Sequence, residues 1–321
     1  FPLVSEPYKA LADELAISEG EILTRIASLK KQNVIREINA IFDTRRLGYS
    51  STLVAMRFPA NRLEAAARKI NKHPGVSHNY ARDGYFNLWF TLAVPPHQNI
   101  RQVMDRMETE VAAEATRIMP TIRFFKIGVN FDMEKREGAS VDYYSPDGYG
   151  SVKEDWNKAV HLSQFDIEAV RELQKDLPLV PRPFDEMAHR LGITVSGLFS
   201  VAKEFQERRL MRRYSAVLYH RRAGFKANAM AVWRVPEERS EEVGQMMAAS
   251  PWVTHCYQRP TFPDWPYTHF TMIHAPSRKK CEDVAQDLSG KLGVSDYRML
   301  YSTREYKKTR VRYFVEQEEG W

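Results

Sequence analysis

The chain has 321 residues, of which 43% are hydrophobic, and this is enough to build two ordinary domain cores. Its formal net charge of +6 and isoelectric point of about 9.1 indicate an anionic partner, either nucleic acid or a polyanionic small molecule. Only Cys256 and Cys281 occur, too few for a disulfide framework or an iron–sulfur cluster, and no signal peptide or spanning segment is recognisable, so we expect a cytoplasmic protein.

The amino-terminal half predicts two short helices followed by alternating strands and helices. Apolar spacing favours a helix over Tyr8–Leu15, and Ser18 is a suitable cap for a second helix that runs toward Lys31. Beyond them the apolar period becomes that of strands. We predict, in chain order, a long strand over Ile38–Phe58, a helix over Arg62–Asn71, strands over Val76–Ala81 and Phe86–Val94, a helix over Ile100–Ala115 and a strand over Ile122–Phe131.

A linker and a second set of similar elements follow. Residues 133–163 hold charged, Gly, Ser and Tyr side chains without apolar periodicity, which is typical of a linker. The next helices are predicted over Phe184–Leu191 and, with Thr194 as cap, on to about Arg209. The remaining predicted elements are a strand over Ala216–Val235, a helix over Glu241–Ala249, strands over Val253–Gln258 and Thr268–His274, a helix over Arg278–Leu288 and a strand over Arg298–Phe314.

The two halves are copies of one another. A nearly constant offset aligns Leu3–Tyr8 with Leu179–Phe184, Asp43–Tyr49 with Tyr219–Phe225, and His73–Arg82 with Ser250–Arg259. We therefore predict an α+β fold, a tandem repeat of a winged or plain helix-turn-helix motif plus a ferredoxin-like βαββαβ domain. The predicted segments are the first helix-turn-helix (1–36), the first ferredoxin-like domain (37–132), the linker (133–163), the second helix-turn-helix (164–212) and the second ferredoxin-like domain (213–321).

This pairing of modules resembles the Lrp/AsnC transcription regulators, so DNA binding has to be weighed. A DNA reader presents basic or amide side chains from the start of its second helix. Here that helix begins with Glu19-Gly20-Glu21 in the first copy and with Val195-Ser196-Gly197 in the second. Neither helix start offers side chains that bind phosphates or base edges. We therefore expect no specific DNA binding and interpret the motif as a packing and dimerising element.

One polar pattern, His-x-Tyr-x-Arg, recurs in a strand of both copies. Strand alternation predicts that one face carries Val76, His78, Tyr80 and Arg82 in the first copy and Val253, His255, Tyr257 and Arg259 in the second. A single trio is equally compatible with a half-buried strand that holds a structural His and Tyr. Its recurrence favours a functional role.

The segments around both trios resemble the signature of the siroheme decarboxylases, Lrp-like enzymes of the alternative heme and heme d1 pathways. The resembling segments are His78–Asp83, Tyr85–Thr91, His255–Pro260, Asp264–Tyr267, Phe270–His274, Arg221–Met230 and Lys307–Phe314. The resemblance covers both copies and leaves out the linker. Many relatives keep the two halves as separate chains, whereas here they are fused. The family pattern has Asn-Leu where this chain has Thr268-His269, so no role of that Asn is carried over.

The resemblance implies that siroheme loses two acetate carboxylates as carbon dioxide and becomes 12,18-didecarboxysiroheme, in heme or heme d1 biosynthesis. An acid must protonate the carbon that keeps the electron pair, and His and Tyr can do this near neutral pH. The candidate catalytic residues are therefore His78, Tyr80, His255 and Tyr257. Ligation of the siroheme iron is the alternative role for the two histidines.

Cationic and aromatic residues are the candidates for binding the substrate, because guanidinium groups hold carboxylates in a bidentate fork and aromatic rings pack on a macrocycle. These candidates are Arg82, Arg221, Arg222, Lys226, Arg259, Trp265, Tyr267 and His274. Three of them belong to a run from Arg208 to Lys226 that has no acidic residue, for which a solvated basic face is the alternative. Core packing is the alternative for each aromatic residue.

Neither a metal-site spacing nor a phosphate-binding loop occurs, so we expect no cofactor, with iron entering only as part of siroheme. The expected partners are siroheme and didecarboxysiroheme, without a membrane, and the fused chain can form a homo-oligomer. An Lrp/AsnC-type heme-responsive regulator and a heme carrier without turnover remain as alternatives. Since the copies diverge, with Trp252 for Gly75 and Cys256 for Asn79, we predict one principal site dominated by the second copy.

Overall fold

The computed structural model describes residues 1–127, 158–218 and 227–315, which divide into two compact units. The helical unit holds residues 1–49, 158–218 and 312–315, and the sheet unit holds residues 50–127 and 227–311. Each unit therefore contains parts of both sequence copies. In both, the described helices are too short or too polar to cross a membrane.

The elements follow the repeat along the chain. Those of the first copy are α1 (Pro7–Leu15), α2 (Glu19–Lys31), β1 (Ile35–Phe42), β2 (Ser50–Arg57), α3 (Ala60–Asn71), β3 (Val76–Arg82), β4 (Leu88–Val94), α4 (Ile100–Val111), β5 (Ala115–Pro120) and β6 (Arg123–Ile127). Those of the second are α5 (Gln164–Leu173), α6 (Asp185–Arg190), α7 (Val195–Glu207), β7 (Met211–Leu218), β8 (Ala227–Trp233), α8 (Ser240–Ala249), β9 (Val253–Gln258), β10 (His269–Ala275), α9 (Arg278–Leu292) and β11 (Tyr297–Lys308).

The helical unit contains the helix-turn-helix pairs, α1 with α2 and α6 with α7. The predicted caps are confirmed: the Ser18 hydroxyl accepts from the backbone N–H of Glu21, and the Thr194 hydroxyl accepts from that of Gly197. Helix α5, which the sequence pattern did not predict, begins at a capping box formed by Ser163 and Asp166. Strands β1 and β7 pair antiparallel as a separate two-stranded sheet.

The long strand predicted over Ile38–Phe58 is wrong, because the chain turns between β1 and β2. The buried carboxylate of Asp43 accepts hydrogen bonds from the backbone N–H groups of Arg45 and Arg46, and Gly48 has a positive φ of 81°. The strand predicted over Ala216–Val235 likewise divides into β7 and β8. Residues 37–49 and 213–218 therefore lie in the helical unit, although they were predicted as parts of the ferredoxin-like domains. The boundaries of the two units thus differ from those of the predicted segments.

The sheet unit confirms the ferredoxin-like order in both copies. Its strands form a nine-stranded antiparallel sheet in the order β5-β2-β4-β3-β11-β8-β10-β9-β6. Each copy contributes four neighbouring strands in the fold's order, last-first-third-second. The strand predicted over Ile122–Phe131 is present as β6 up to residue 127, beyond which its residues lie outside the described part of the chain. Strand β5 precedes it and, apart from Ala115, covers residues for which the pattern predicted no element.

The two copies exchange strands reciprocally. The end of β11, from the second copy, pairs with β3 of the first, and β6, from the first copy, pairs with β9 of the second. Helices α3 and α4 cover one outer core and α8 and α9 the other. A third core joins the opposite faces of the two four-stranded halves and includes Phe86, Trp89, Met230, Trp265 and Phe270. The sheets of the two copies therefore pair with each other within one chain.

Candidate active site

A β-bulge sets the direction of each His-x-Tyr-x-Arg trio. In β3 the pairing with β4 shifts between Val76 and His78, which leaves Ser77 as the extra residue. In β9 the pairing with β10 shifts in the same place, which leaves Thr254 as the extra residue. The predicted grouping of Val76 with the first trio is therefore wrong, because this valine lies in the helix-covered core, while His78 and Tyr80 point to the other face.

The second copy repeats this correction. Val253 lies in the core covered by α8 and α9, whereas the rings of His255 and Tyr257 stack with each other. The predicted sharing of a face is right for His, Tyr and Arg and wrong for the valine. Simple alternation fails here because one bulged residue reverses every side chain that follows it.

Each trio forms a continuous stack of rings and a guanidinium group. The ring centroids of His78 and Tyr80 are 6.4 Å apart at an interplanar angle of 29°, and those of His255 and Tyr257 are 6.1 Å apart at 29°. The guanidinium carbon of Arg82 lies 5.6 Å from the centroid of Tyr80. In the second copy the corresponding distance, from Arg259 to Tyr257, is 4.9 Å. All four His and Tyr side chains are partly exposed.

The two arginines are buried cations that reach across to the other copy. Arg82 is 7% exposed and donates to the backbone carbonyl of Leu300 in β11, while Arg259 is 8% exposed and donates to that of Met119 in β5. The Nε of each has no hydrogen-bond partner, and among residues 1–127, 158–218 and 227–315 neither arginine forms an ion pair. Burial lowers the pKa of both guanidinium groups to about 10, so both remain charged at neutral pH.

A hydroxyl group holds the Nδ1 atom of each histidine. The Ser77 hydroxyl lies 3.0 Å from Nδ1 of His78, and the Thr254 hydroxyl lies 3.0 Å from Nδ1 of His255. Both hydroxyls belong to the bulged residues. Neither was predicted as a site residue, although the aligned repeats show a hydroxyl residue before each histidine. The bond at Nδ1 fixes the ring and leaves Nε2 as the atom that faces away from the bulge.

The exchanged strands give the two stacks different neighbours. The residues paired with the His and Tyr across the exchanged strand are charged in the first copy, Lys308 and Glu305, and apolar in the second, Ile127 and Phe124. The copies have therefore diverged next to both stacks.

The aromatic candidates are buried in the core between the two sheet halves. Trp265 is 3% exposed and its ring centroid lies 5.3 Å from that of Trp89 and 5.2 Å from that of Tyr267. The guanidinium carbon of Arg298 lies 5.6 Å from the Tyr267 centroid. These contacts match the core-packing alternative, and contact of either residue with a macrocycle stays a prediction.

Of the remaining candidates, His274 is near the second stack, with Nδ1 3.0 Å from the Thr254 hydroxyl. Arg221, Arg222 and Lys226 lie outside the described residues. His269 lies on the other face of β10, where its Nε2 is 3.0 Å from the carbonyl oxygen of Ser240 and its ring stacks on Phe125. No group of three or more His, Cys, Asp or Glu side chains suited to a metal occurs among the described residues.

Two family models match the chain. The AsnC-like ligand binding domain matches residues 46–126 and 222–307, and the siroheme decarboxylase NirDL-like helix-turn-helix domain matches residues 1–36 and 166–212. Together the matches cover both copies and omit the linker region. The two models correspond to the ferredoxin-like and helix-turn-helix modules described above.

Curated relatives and solved structures extend this similarity to nearly the whole chain. The siroheme decarboxylase of Hydrogenobacter thermophilus is 40% identical over 324 residues, covering 100% of this chain and 93% of that protein. The siroheme decarboxylase beta subunit of Methanosarcina barkeri is 42% identical over 151 residues, covering 47% of this chain and 99% of that subunit. The crystal structure of the siroheme decarboxylase NirDL in complex with an iron-uroporphyrin III analogue is 36% identical with a TM-score of 0.72, covering 98% of this chain and 90% of that chain.

Proposed function

The chain belongs to the siroheme decarboxylase family, and from that premise we propose that it converts siroheme to 12,18-didecarboxysiroheme by releasing two acetate carboxylates as carbon dioxide. It is then a carboxy-lyase of heme or heme d1 biosynthesis. The observation that carries the proposal is the repeated His-Tyr-Arg stack, in which a buried guanidinium group, without an ion pair among the described residues, lies beside a tyrosine ring that stacks on the histidine ring. This arrangement suits a substrate with several carboxylates.

The reaction requires one proton for each carboxylate lost. The bond between the acetate methylene carbon and the carboxylate carbon breaks, carbon dioxide leaves, and the electron pair stays on the methylene carbon, which takes a proton and becomes a methyl group. No electron is gained or lost overall, so no redox cofactor is needed, and iron belongs to the substrate. We assign the proton donation to Nε2 of His78 and His255, whose Nδ1 atoms are held by the bulge hydroxyls.

Tyr80 and Tyr257 lie between histidine and arginine in each stack, where a phenol O–H can hydrogen-bond a carboxylate or assist the proton donor. Arg82 and Arg259 hold a carboxylate of the macrocycle, which compensates the charge that each buries. Arg221, Arg222 and Lys226 are assigned to further carboxylates on sequence alone. His274, Trp265 and Tyr267 are the remaining residues that we assign to the substrate-binding site.

The direct test is anaerobic incubation of the purified chain with siroheme, without added metal or electron acceptor, followed by mass spectrometry. The proposal expects loss of one and then two carbon dioxide molecules. Bound but unchanged siroheme at stoichiometric enzyme would instead identify a carrier.

The regulator alternative predicts tight, sequence-specific DNA binding, which we do not expect. Helix α2 has Glu19 and Glu21 in its first turn, and carboxylates there oppose phosphate contacts. A gel-shift assay over genomic fragments at modest salt distinguishes the two, because a specific complex that survives competitor DNA would support the regulator.

A further inference from the structure

The Thr254 hydroxyl joins two histidines. Its Oγ1 lies 3.0 Å from Nδ1 of His255 and 3.0 Å from Nδ1 of His274, and it also reaches the carbonyl oxygen of Met272 at 3.3 Å. Thr254 is 1% exposed and His274 is 7% exposed, so water has little access to this bridge. A hydroxyl has one proton and two lone pairs, so it can accept from one ring while it donates to the other.

The first copy has the same backbone but lacks the bridge. The backbone N–H of Ala93 donates to the carbonyl of Gly75, and that of His274 donates to the carbonyl of Trp252, so Ala93 and His274 occupy equivalent positions. Ser77 holds His78 in the way that Thr254 holds His255. With alanine at the equivalent position, no second imidazole among the described residues contacts the Ser77 hydroxyl.

Resting on the proposed function, we propose that Thr254 relays a proton from His274 to His255 during decarboxylation in the second copy. His255 acts directly on the substrate, and Thr254 and His274 are positioning and relay residues behind it. The hydroxyl has one proton, so it donates either to the Met272 carbonyl or to Nδ1 of His255, and the relay uses the second arrangement.

The protons balance in one cycle. His255 begins neutral with its proton on Nε2, and Nδ1 accepts from the Thr254 hydroxyl. As the C–C bond breaks, the Nε2 proton moves to the methylene carbon, the hydroxyl proton moves to Nδ1 of His255, and the Nδ1 proton of His274 moves to the hydroxyl. His274, which began as imidazolium, becomes neutral. After the product leaves, Nε2 of His255 takes a proton from solvent, and the relayed protons return from Nδ1 of His255 through the Thr254 hydroxyl to His274, so every group regains its starting protonation. The net change is one solvent proton consumed per carbon dioxide released.

The test compares single-turnover decarboxylation of siroheme by the wild-type chain and by Thr254→Val, Thr254→Ser and His274→Gln. Thr254→Val and His274→Gln should each slow the reaction about 10- to 100-fold. Loss of a general acid or base usually costs about 100- to 10,000-fold, and a smaller effect is expected here because His255 remains. Thr254→Ser keeps the hydroxyl and should restore the rate to within about threefold of wild type. The dependence of rate on deuterium fraction should be curved for wild type, where several protons move, and linear for Thr254→Val.

A matched control is Thr271→Val, which removes a buried hydroxyl from the same sheet, where it accepts from the Trp233 indole N–H. This variant should keep the wild-type rate and isotope dependence. A Thr254→Val chain that turns over at the wild-type rate, or a Thr254→Ser chain as slow as Thr254→Val, would overturn the relay. If the wild-type chain does not decarboxylate siroheme at all, the proposed function fails instead, so the two failures are distinguishable.

Discussion

Arg82 and Arg259 are buried cations that form no ion pair with the described residues, although the nearby Asp83 carboxylate favours the charged form of Arg82. Removing an unpaired charge from a protein interior usually relieves a desolvation penalty, whereas removing one member of an ion pair leaves the other uncompensated. The sign of the stability change on substitution therefore distinguishes a guanidinium group reserved for a ligand from one that serves the fold.

Replacing Arg259 by Met should leave the free energy of unfolding within about 1 kcal/mol of wild type, because relief of the buried charge offsets the lost hydrogen bond to Met119. The same change should weaken siroheme binding about 10- to 100-fold, the equivalent of about 1.5–3 kcal/mol for a charge-assisted hydrogen bond. Urea unfolding and absorbance titration measure the two effects. Arg234→Met is the surface control, and unchanged affinity together with a large loss of stability would assign Arg259 to the fold.

His73 and His269 predict how stability depends on pH. Burial, with Lys307 and Arg106 nearby, lowers the pKa of His73 to about 4, and burial lowers that of His269 to about 4, from 6.5. Between these values the unfolded chain binds more protons than the folded chain, so the free energy of unfolding should fall as pH drops from 6.5 to 4. Each histidine contributes a slope of about 1.4 kcal/mol per pH unit.

Urea unfolding at a series of pH values checks this dependence. A double variant, His73→Asn with His269→Gln, should show a shallower decline over the same window. An identical slope in both proteins would mean that other groups cause the acid destabilisation.

The exchanged strands also form hydrogen bonds with helix ends of the opposite copy. Lys307 in β11 donates to the carbonyls of Asn71 and His73 at the end of α3, and Lys126 in β6 donates to the carbonyl of Ser250 at the end of α8. Both lysines are partly desolvated, and burial lowers the pKa of each. These bonds satisfy carbonyl groups that a helix end leaves without partners.

Lys307→Met should therefore lower the free energy of unfolding by about 1–3 kcal/mol, because two carbonyl groups lose a charged donor. Lys279→Met, in an exposed pair with Asp283 on α9, should change it by no more than about 0.5 kcal/mol. Equal effects of the two changes, measured by denaturant unfolding, would contradict this role for the exchanged strand.

The sequence predicted most elements but not the places where the chain departs from regular geometry. The ferredoxin-like order, the caps Ser18 and Thr194 and the span of β9 follow from periodicity and side-chain chemistry. The bulges at Ser77 and Thr254 do not, because alternation assumes one residue per pleat. The sequence pattern therefore predicted neither the bulges nor the hydroxyl contacts to both histidines.

For the molecule as a whole, the repeat predicted two ferredoxin-like domains but not the reciprocal exchange of strands between them. Exchange depends on pairing between residues far apart in sequence, such as Glu305 with Tyr80 and Phe124 with Tyr257. Local periodicity carries no information about such pairs. Exchange also places residues of each copy beside the stack of the other. The two stacks thus share a backbone and differ in their surroundings.

This asymmetry predicts unequal effects of equivalent substitutions. His255→Ala should reduce siroheme turnover more than His78→Ala, because the relay through Thr254 and His274 serves only the second copy. Rates of both decarboxylation steps, followed by mass spectrometry for each variant, measure the difference. Equal partial losses with two siroheme molecules bound per chain would show two independent and equivalent sites.

In the proposed reaction, side chains of this fold protonate a methylene carbon of siroheme as carbon dioxide departs. The most direct measurement is the mass spectrum of the tetrapyrrole formed from siroheme anaerobically in deuterium oxide, without added metal or electron acceptor. We expect a product that has lost two carboxylates and carries one solvent-derived deuterium in each new methyl group. Siroheme recovered intact, or a decarboxylated product whose new methyl groups contain no deuterium, would contradict it.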